Sequence, residues 1–221
     1  MNMRSNVTKA ACCCLVLLLL AFPAAADQNQ TVVELKVVIR FFAPINEHTV
    51  GQLLDLIDKK RSAGAKEFVI LLSTQGGDVG AGITAYNYLK ALPTPVTVIT
   101  HNIGRVDSIG VIVYCAGARR LCVPQARFLI HGVKSMGDGL ASMDEKLLEE
   151  RLKTLKVDSE NIARVIAANS NKNLPEVRAA MSDRTTLTPD QAIAWGLTQE
   201  IKTDLYEAAD FVYRIEPGPR R

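Results

Sequence analysis

Past residue 30 the chain alternates short apolar runs with amphipathic stretches. The segment from Thr31 to Pro44 is rich in β-branched and aromatic residues and predicts a strand ending near the proline. Apolar residues then recur at Val50, Leu53, Leu54 and Ile57 with the spacing of one helix face, and Gly64 closes that helix. Phe68 to Leu72 is an unbroken apolar run, the pattern of a strand covered on both faces. Strand, helix and strand in so short a stretch make a right-handed βαβ unit. The unit repeats: Gln75-Gly76-Gly77 forms a turn, Val79, Ile83, Tyr86 and Leu89 mark a helix from Val79 to Leu92, and Val96 to Thr100 forms the next strand. A glycine-flanked turn from Gly104 to Gly110, an apolar helix through Ala118 and a strand around Phe128 to His131 follow.

Beyond that point the pattern changes. Leu140 to Asn169 is long, charged and amphipathic, with Leu147, Leu148, Leu152, Leu155, Ile162 and Val165 on its apolar side. At about 1.5 Å per residue such a helix extends past the edge of a compact domain. Shorter helices are predicted from Leu174 to Met181 and from Pro189 to Trp195, the last stopped by Gly196. The polar, proline-containing segment from Tyr206 to Arg221 is expected to be poorly ordered or an added piece. The sum is one α/β domain around a mostly parallel sheet, with a long protruding helix.

The first residues read as an address. Arg4 and Lys9 precede an apolar run from Ala10 to Phe22, and Ala24-Ala25-Ala26 supplies small residues for cleavage after Ala26. The run falls short of the ~20 residues that span a bilayer, so a cleaved leader is expected over a retained anchor, and a periplasmic or secreted product with it. Cys12, Cys13 and Cys14 lie before the apolar run, which disfavours a lipid anchor. About 195 of the 221 residues then remain, enough for one domain. Loss of Arg4 and Lys9 lowers the formal charge from +3 to about +1, which gives no electrostatic case for nucleic acid or an anionic membrane. Only Cys115 and Cys122 survive cleavage, both in apolar surroundings that favour buried free thiols over a disulfide. Three widely spaced histidines make no zinc set, and Gly80-Ala81-Gly82 lacks the lysine of a phosphate loop, so neither metal nor nucleotide cofactor is expected.

Candidate chemistry gathers in four segments. They are Gly76 to Gly82 (GGDVGAG), Gly104 to Gly110 (GRVDSIG), Phe128 to His131 (FLIH), and Asp183-Arg184 ahead of Leu187 to Ala192 (LTPDQA). A serine hydroxyl is a poor nucleophile unless a histidine takes its proton and another group fixes the imidazole tautomer. Ser108 lies on a turn leading into an apolar helix, and His131 ends an apolar strand, where a polar ring must find a partner or face a cleft. Each feature alone has a structural reading: a cap serine, a satisfied core histidine, a salt-bridged aspartate, a plain turn. His48 and His101 carry no motif and are expected to be surface or structural residues.

In this order the four segments resemble the proteolytic subunit of the Clp protease (ClpP), from about Val37 to Ile201. The resemblance implies the ClpP/crotonase-like fold, a serine endopeptidase domain over residues 27–205, and a tail over 206–221. It implies Ser108 as nucleophile, His131 as base, Asp183 as the third member, and the amides of Gly77 and Ile109 as the oxyanion hole. It also implies a homo-oligomeric ring built through the long helix. Substrates are expected to be small or already unfolded peptide chains. Too few residues separate the cleavage point from the first strand to form the family's ATPase-docking loops, and ATP is absent outside the cytoplasm, so an ATP-independent enzyme without an ATPase partner is expected.

Two departures stand out. Asp107 replaces the family's small residue before the serine, where it could pair with Arg105 or, less simply, orient His131. Ser73-Thr74-Gln75 replaces a serine-proline, which is expected to loosen the glycine turn. Two other functions stay open on the sequence: a crotonase-type acyl-CoA enzyme and a catalytically inactive ring-forming scaffold.

Overall fold

The computed structural model describes residues 35–134, 144–207 and 210–218. The expected leader, its cleavage point and the first residues of the long helical stretch lie outside them. In chain order the elements are β1 (Lys36–Phe41), α1 (Glu47–Ser62), β2 (Glu67–Thr74), α2 (Val79–Lys90), β3 (Thr97–Asp107), α3 (Gly110–Cys115), β4 (Arg119–Cys122), β5 (Arg127–Leu129), α4 (Glu145–Ala168), α5 (Leu174–Ser182), β6 (Thr186–Leu187), α6 (Pro189–Ala194), β7 (Glu200–Ile201) and β8 (Phe211–Ile215).

One sheet runs β6-β5-β3-β2-β1-β8, with β4 also pairing with β3 and carrying β7. Every pairing is parallel except β5 with β6. Helical crossovers explain this, because each returns the chain to the same end of the sheet. Phe68, Ile70 and Leu72 of β2 join the main core with Leu53 and Ile57 of α1, while Val69 and Leu71 point to a smaller cluster with Val38, Ile99 and Leu121 on the opposite face. The unbroken apolar run of β2 thus reflects burial on both sides.

The helices start where their caps allow. Asn46 caps α1 and Asn173 caps α5 through reciprocal capping boxes, and Asp78 caps α2 by accepting from the Ala81 amide at 2.7 Å. Asp78 is therefore committed to a structural bond. In α4 only Ile162, Ala163 and Ile166 are buried, near its C-terminal end, while Leu147, Leu148 and Leu152 stand exposed.

Three departures from the expected pattern have clear causes. β3 runs on to Asp107, seven residues past Thr100, so the turn before α3 shrinks to Ser108 and Ile109; pairing with β5 carries Arg105, Val106 and Asp107 as strand. β4, with two leading arginines, has no apolar alternation to announce it. The tail expected to be poorly ordered contributes β8, which lies parallel to β1 from Val37↔Phe211 to Phe41↔Ile215. Ile215 is buried, Lys36 bonds Asp210 at 2.8 Å, and Gln52 both accepts from the Glu216 amide and donates to its carbonyl.

Candidate active site

The C-terminal ends of β2 and β3 lie side by side, and each hands the chain to a helix through a tight turn. After β2 the turn is Gln75-Gly76-Gly77. Gly77 has φ 153°, and a Cβ there would stand 2.1 Å from the Ile45 carbonyl oxygen, so a side chain cannot enter. The neighbouring segment is the reason: the Ile45 amide donates to the Gly76 carbonyl and the Asp78 amide to the Ile45 carbonyl, stitching this turn to the chain leaving β1. The missing proline does not leave the turn open, because the Thr74 hydroxyl accepts from the Gly76 amide at 3.1 Å from a buried position.

After β3 the turn is Ser108-Ile109. Ser108 has φ 58°, and among the described residues the only other non-glycine with positive φ is Arg184. A side chain in that region is costly and persists only where surrounding structure enforces it, as happens at functional sites. Here the Ser108 amide donates to the Leu129 carbonyl at 2.8 Å, and the Ser108 carbonyl accepts from Val111.

Past the end of β5 at Leu129 the chain runs on through Ile130 to His131. Its extension is held by Ile130 donating to the Thr185 carbonyl and Gly132 donating to the Met181 carbonyl. The His131 ring is half-buried, with Nδ1 2.6 Å from the Gly132 carbonyl. A carbonyl only accepts, so Nδ1 carries the hydrogen and Nε2 is left with its lone pair.

Ser108, His131, Gly77 and Ile109 border one cleft of about 370 Å³ with Gln75, Gly76, Pro44, Val79, Val133, Lys134 and Ile162. Among the described residues no carbonyl or side chain accepts from the Gly77 amide or the Ile109 amide. Two free donors thus flank a serine in a largely apolar cleft whose only fixed charge among the described residues is Lys134. Ile109 is buried and buried backbone donors are almost always paired, while Gly77 is exposed at the cleft edge, so the two amides offer a ligand oxygen one donor from within and one from the rim.

Asp183 does not border the cleft. It is exposed at the C-cap of α5, on the turn between the two carbonyls that hold the His131 segment, with no bond from its carboxylate to the ring. Asp107 does not pair with Arg105. Its buried carboxylate takes both terminal nitrogens of Arg127, at 2.8 and 3.0 Å, while Arg105 reaches Gln75 at 3.4 Å. Arg127 carried no signal in the sequence, since register between β3 and β5 decides the partner. His48 is exposed beside Gln52, and His101 is buried with Nε2 3.0 Å from the Lys202 carbonyl. No cluster of metal-ligating side chains occurs among the described residues.

Residues 30–204 match the family model for Clp protease. The chain belongs to the Clp protease family. Curated Clp protease relatives include the ATP-dependent Clp protease proteolytic subunit 3 of Rhizobium johnstonii, 27% identical over 167 residues, 75% of this chain and 83% of the relative. The ATP-dependent Clp protease proteolytic subunit of Streptococcus gordonii is 24% identical over 169 residues, 74% of this chain and 83% of its own. Among solved structures, a point mutant of ClpP1 from Listeria monocytogenes superposes with a TM-score of 0.67 at 22% identity, covering 77% of this chain and 92% of that one. The Clp fold therefore holds at low identity, and membership places the chain among serine peptidases at the level of the family. β8 lies beyond the residues that the Clp protease family model matches.

Proposed function

We propose that the protein is a serine endopeptidase that cleaves small or unfolded polypeptides through an acyl-enzyme. The observation that carries this reading is the pair of unpartnered amides, Gly77 and Ile109, beside Ser108 and His131 in one cleft. The Ser108 hydroxyl attacks the scissile carbonyl while His131 Nε2 takes its proton. Negative charge then develops on the carbonyl oxygen, and the two amides meet it without having to reorganise, a contribution of about 2.7 to 4 kcal/mol per donor in comparable sites. The tetrahedral intermediate collapses, His131 returns the proton to the leaving amine, and the acyl-serine forms. Water activated by the same imidazole completes the cycle.

Asp183 is assigned the third position on the family pattern, while in the structure the Gly132 carbonyl holds the Nδ1 hydrogen and so fixes the tautomer. The sequence leader supports action outside the cytoplasm and hence without ATP. The exposed leucines of α4 support assembly into a homo-oligomer, which would bury them. A fluorophosphonate probe tests the core of the reading. Labelling of the folded protein that vanishes in Ser108→Ala is the expected result, and no labelling of well-folded wild type would refute it.

A further inference from the structure

We propose that the Asp107–Arg127 ion pair is a positioning device that aligns Ser108 with His131 and keeps the oxyanion site free of a neighbouring negative charge. The proposal rests on the hydrolase reading above. Asp107 directly precedes Ser108 at the end of β3, and Arg127 opens the strand that reaches His131 four residues later. β3 and β5 are in register over only Arg105–Asp107 and Arg127–Leu129. That short ladder is the strand pairing between the segment that carries the nucleophile and the one that leads to the base. The two-pronged contact of Arg127 with the Asp107 carboxylate crosses it diagonally and fixes direction as well as distance. On the same flank the Ser108 amide is pinned to Leu129, and on the other side of Ser108 its carbonyl accepts from the Val111 amide. The left-handed backbone at Ser108 is thereby clamped from both flanks.

Charge gives the pair its second role. Asp107 is 5% exposed, so its carboxylate is poorly screened by water. Unpaired, it would oppose the negative charge that forms on the substrate oxygen beside the Ile109 amide. Arg127, more exposed, neutralises it without entering the cleft. A purely mechanical brace would need no charge. This arrangement predicts that a stranded Asp107 is worse than no carboxylate at all.

The test uses the full mature chain, with the rate of fluorophosphonate labelling and steady-state hydrolysis of a fluorogenic peptide as readouts. Arg127→Met is expected to slow labelling about 10- to 100-fold, with the loss in kcat and KM nearly unchanged, because the transition state and not the bound substrate feels the charge. Adding Asp107→Ala to that variant is expected to recover about tenfold while staying below wild type. Arg127→Lys, which keeps the charge but not the fork, should lie between wild type and Arg127→Met and guards against a variant that fails to fold. Wild-type rates in Arg127→Met, or a double variant no faster than Arg127→Met with rates that simply follow the melting temperatures, would overturn the proposal while leaving the hydrolase reading intact. Folded wild type that never labels sinks both.

Discussion

The amide of Ser108 donates to the carbonyl of Leu129, the last residue of β5, at 2.8 Å, two residues before His131. The two side chains that the chemistry needs are thus coupled through backbone, although among the described residues no hydrogen bond joins the Ser108 hydroxyl to the His131 ring, whose partner is the Gly132 carbonyl. Disturbing the sheet end should reach the site without touching either side chain.

Gly77→Ala provides the sharpest local test. The added methyl would meet the Ile45 carbonyl at 2.1 Å on a backbone with positive φ, so the turn must move and take the amide with it. Loss of one oxyanion donor costs about 10²- to 10³-fold in kcat in comparable enzymes. The expected outcome is a labelling rate reduced by about that factor, in protein that still melts cooperatively. A Gly77→Ala enzyme with native kcat would show that this amide does not serve the oxyanion.

His101 makes stability depend on pH. Burial pushes its imidazole below its ordinary value, the nearby Lys202 charge acts in the same direction, and the bond to the Lys202 carbonyl and the Glu200 charge oppose both. A group lowered on folding binds protons more readily in the unfolded chain, so stability rises with pH in this range and is lost as pH falls through the ordinary histidine value of about 6.5. Urea midpoints should therefore drop between pH 7.5 and pH 5.5 by more in the wild type than in His101→Gln. Equal drops would assign the acid sensitivity elsewhere.

The last strand should matter for stability and not for chemistry. Ile215 is buried against the main core, and trimming it to alanine removes its contacts there. A cost of about 2 to 4 kcal/mol is expected, which lowers the melting temperature by roughly 10 °C. Fluorophosphonate labelling per folded molecule should stay at the wild-type rate. An unchanged melting temperature would mean that β8 is not docked in solution.

The exposed leucines of α4 lead to a prediction about assembly. Leu152→Asp places a charge on the stripe formed with Leu147 and Leu148. Light scattering coupled to gel filtration should report a smaller particle than the wild type, with the far-ultraviolet circular dichroism retained. A wild-type mass for the variant would move the contact to another surface.

Much of the fold was legible because its signals are local. β2, α1 and α2 announce themselves by apolar period and by caps, and the parallel sheet follows from their alternation. What escaped is set by partners distant in sequence. β4 opens on two arginines and looks like loop until β3 supplies its ladder, the strand-forming residues of β8 are hidden among polar and proline-containing flanks, and β3 exceeds its apolar run because β5 pairs with its end. The same divide holds at the site. Ser108, His131, Gly77 and Ile109 stand in recognisable short patterns and border one cleft. The partner of Asp107 depended on a register between strands, and so Arg105, near in sequence, was a natural but mistaken choice.

The parallel pairing of β1 with β8 also orders events in time. Lys36 and Asp210, joined at 2.8 Å, lie 174 positions apart. The strand made first on the ribosome must wait for almost the last one made, with one edge of its backbone unpaired throughout. Such long-range closure slows folding and leaves a template for wrong partners meanwhile.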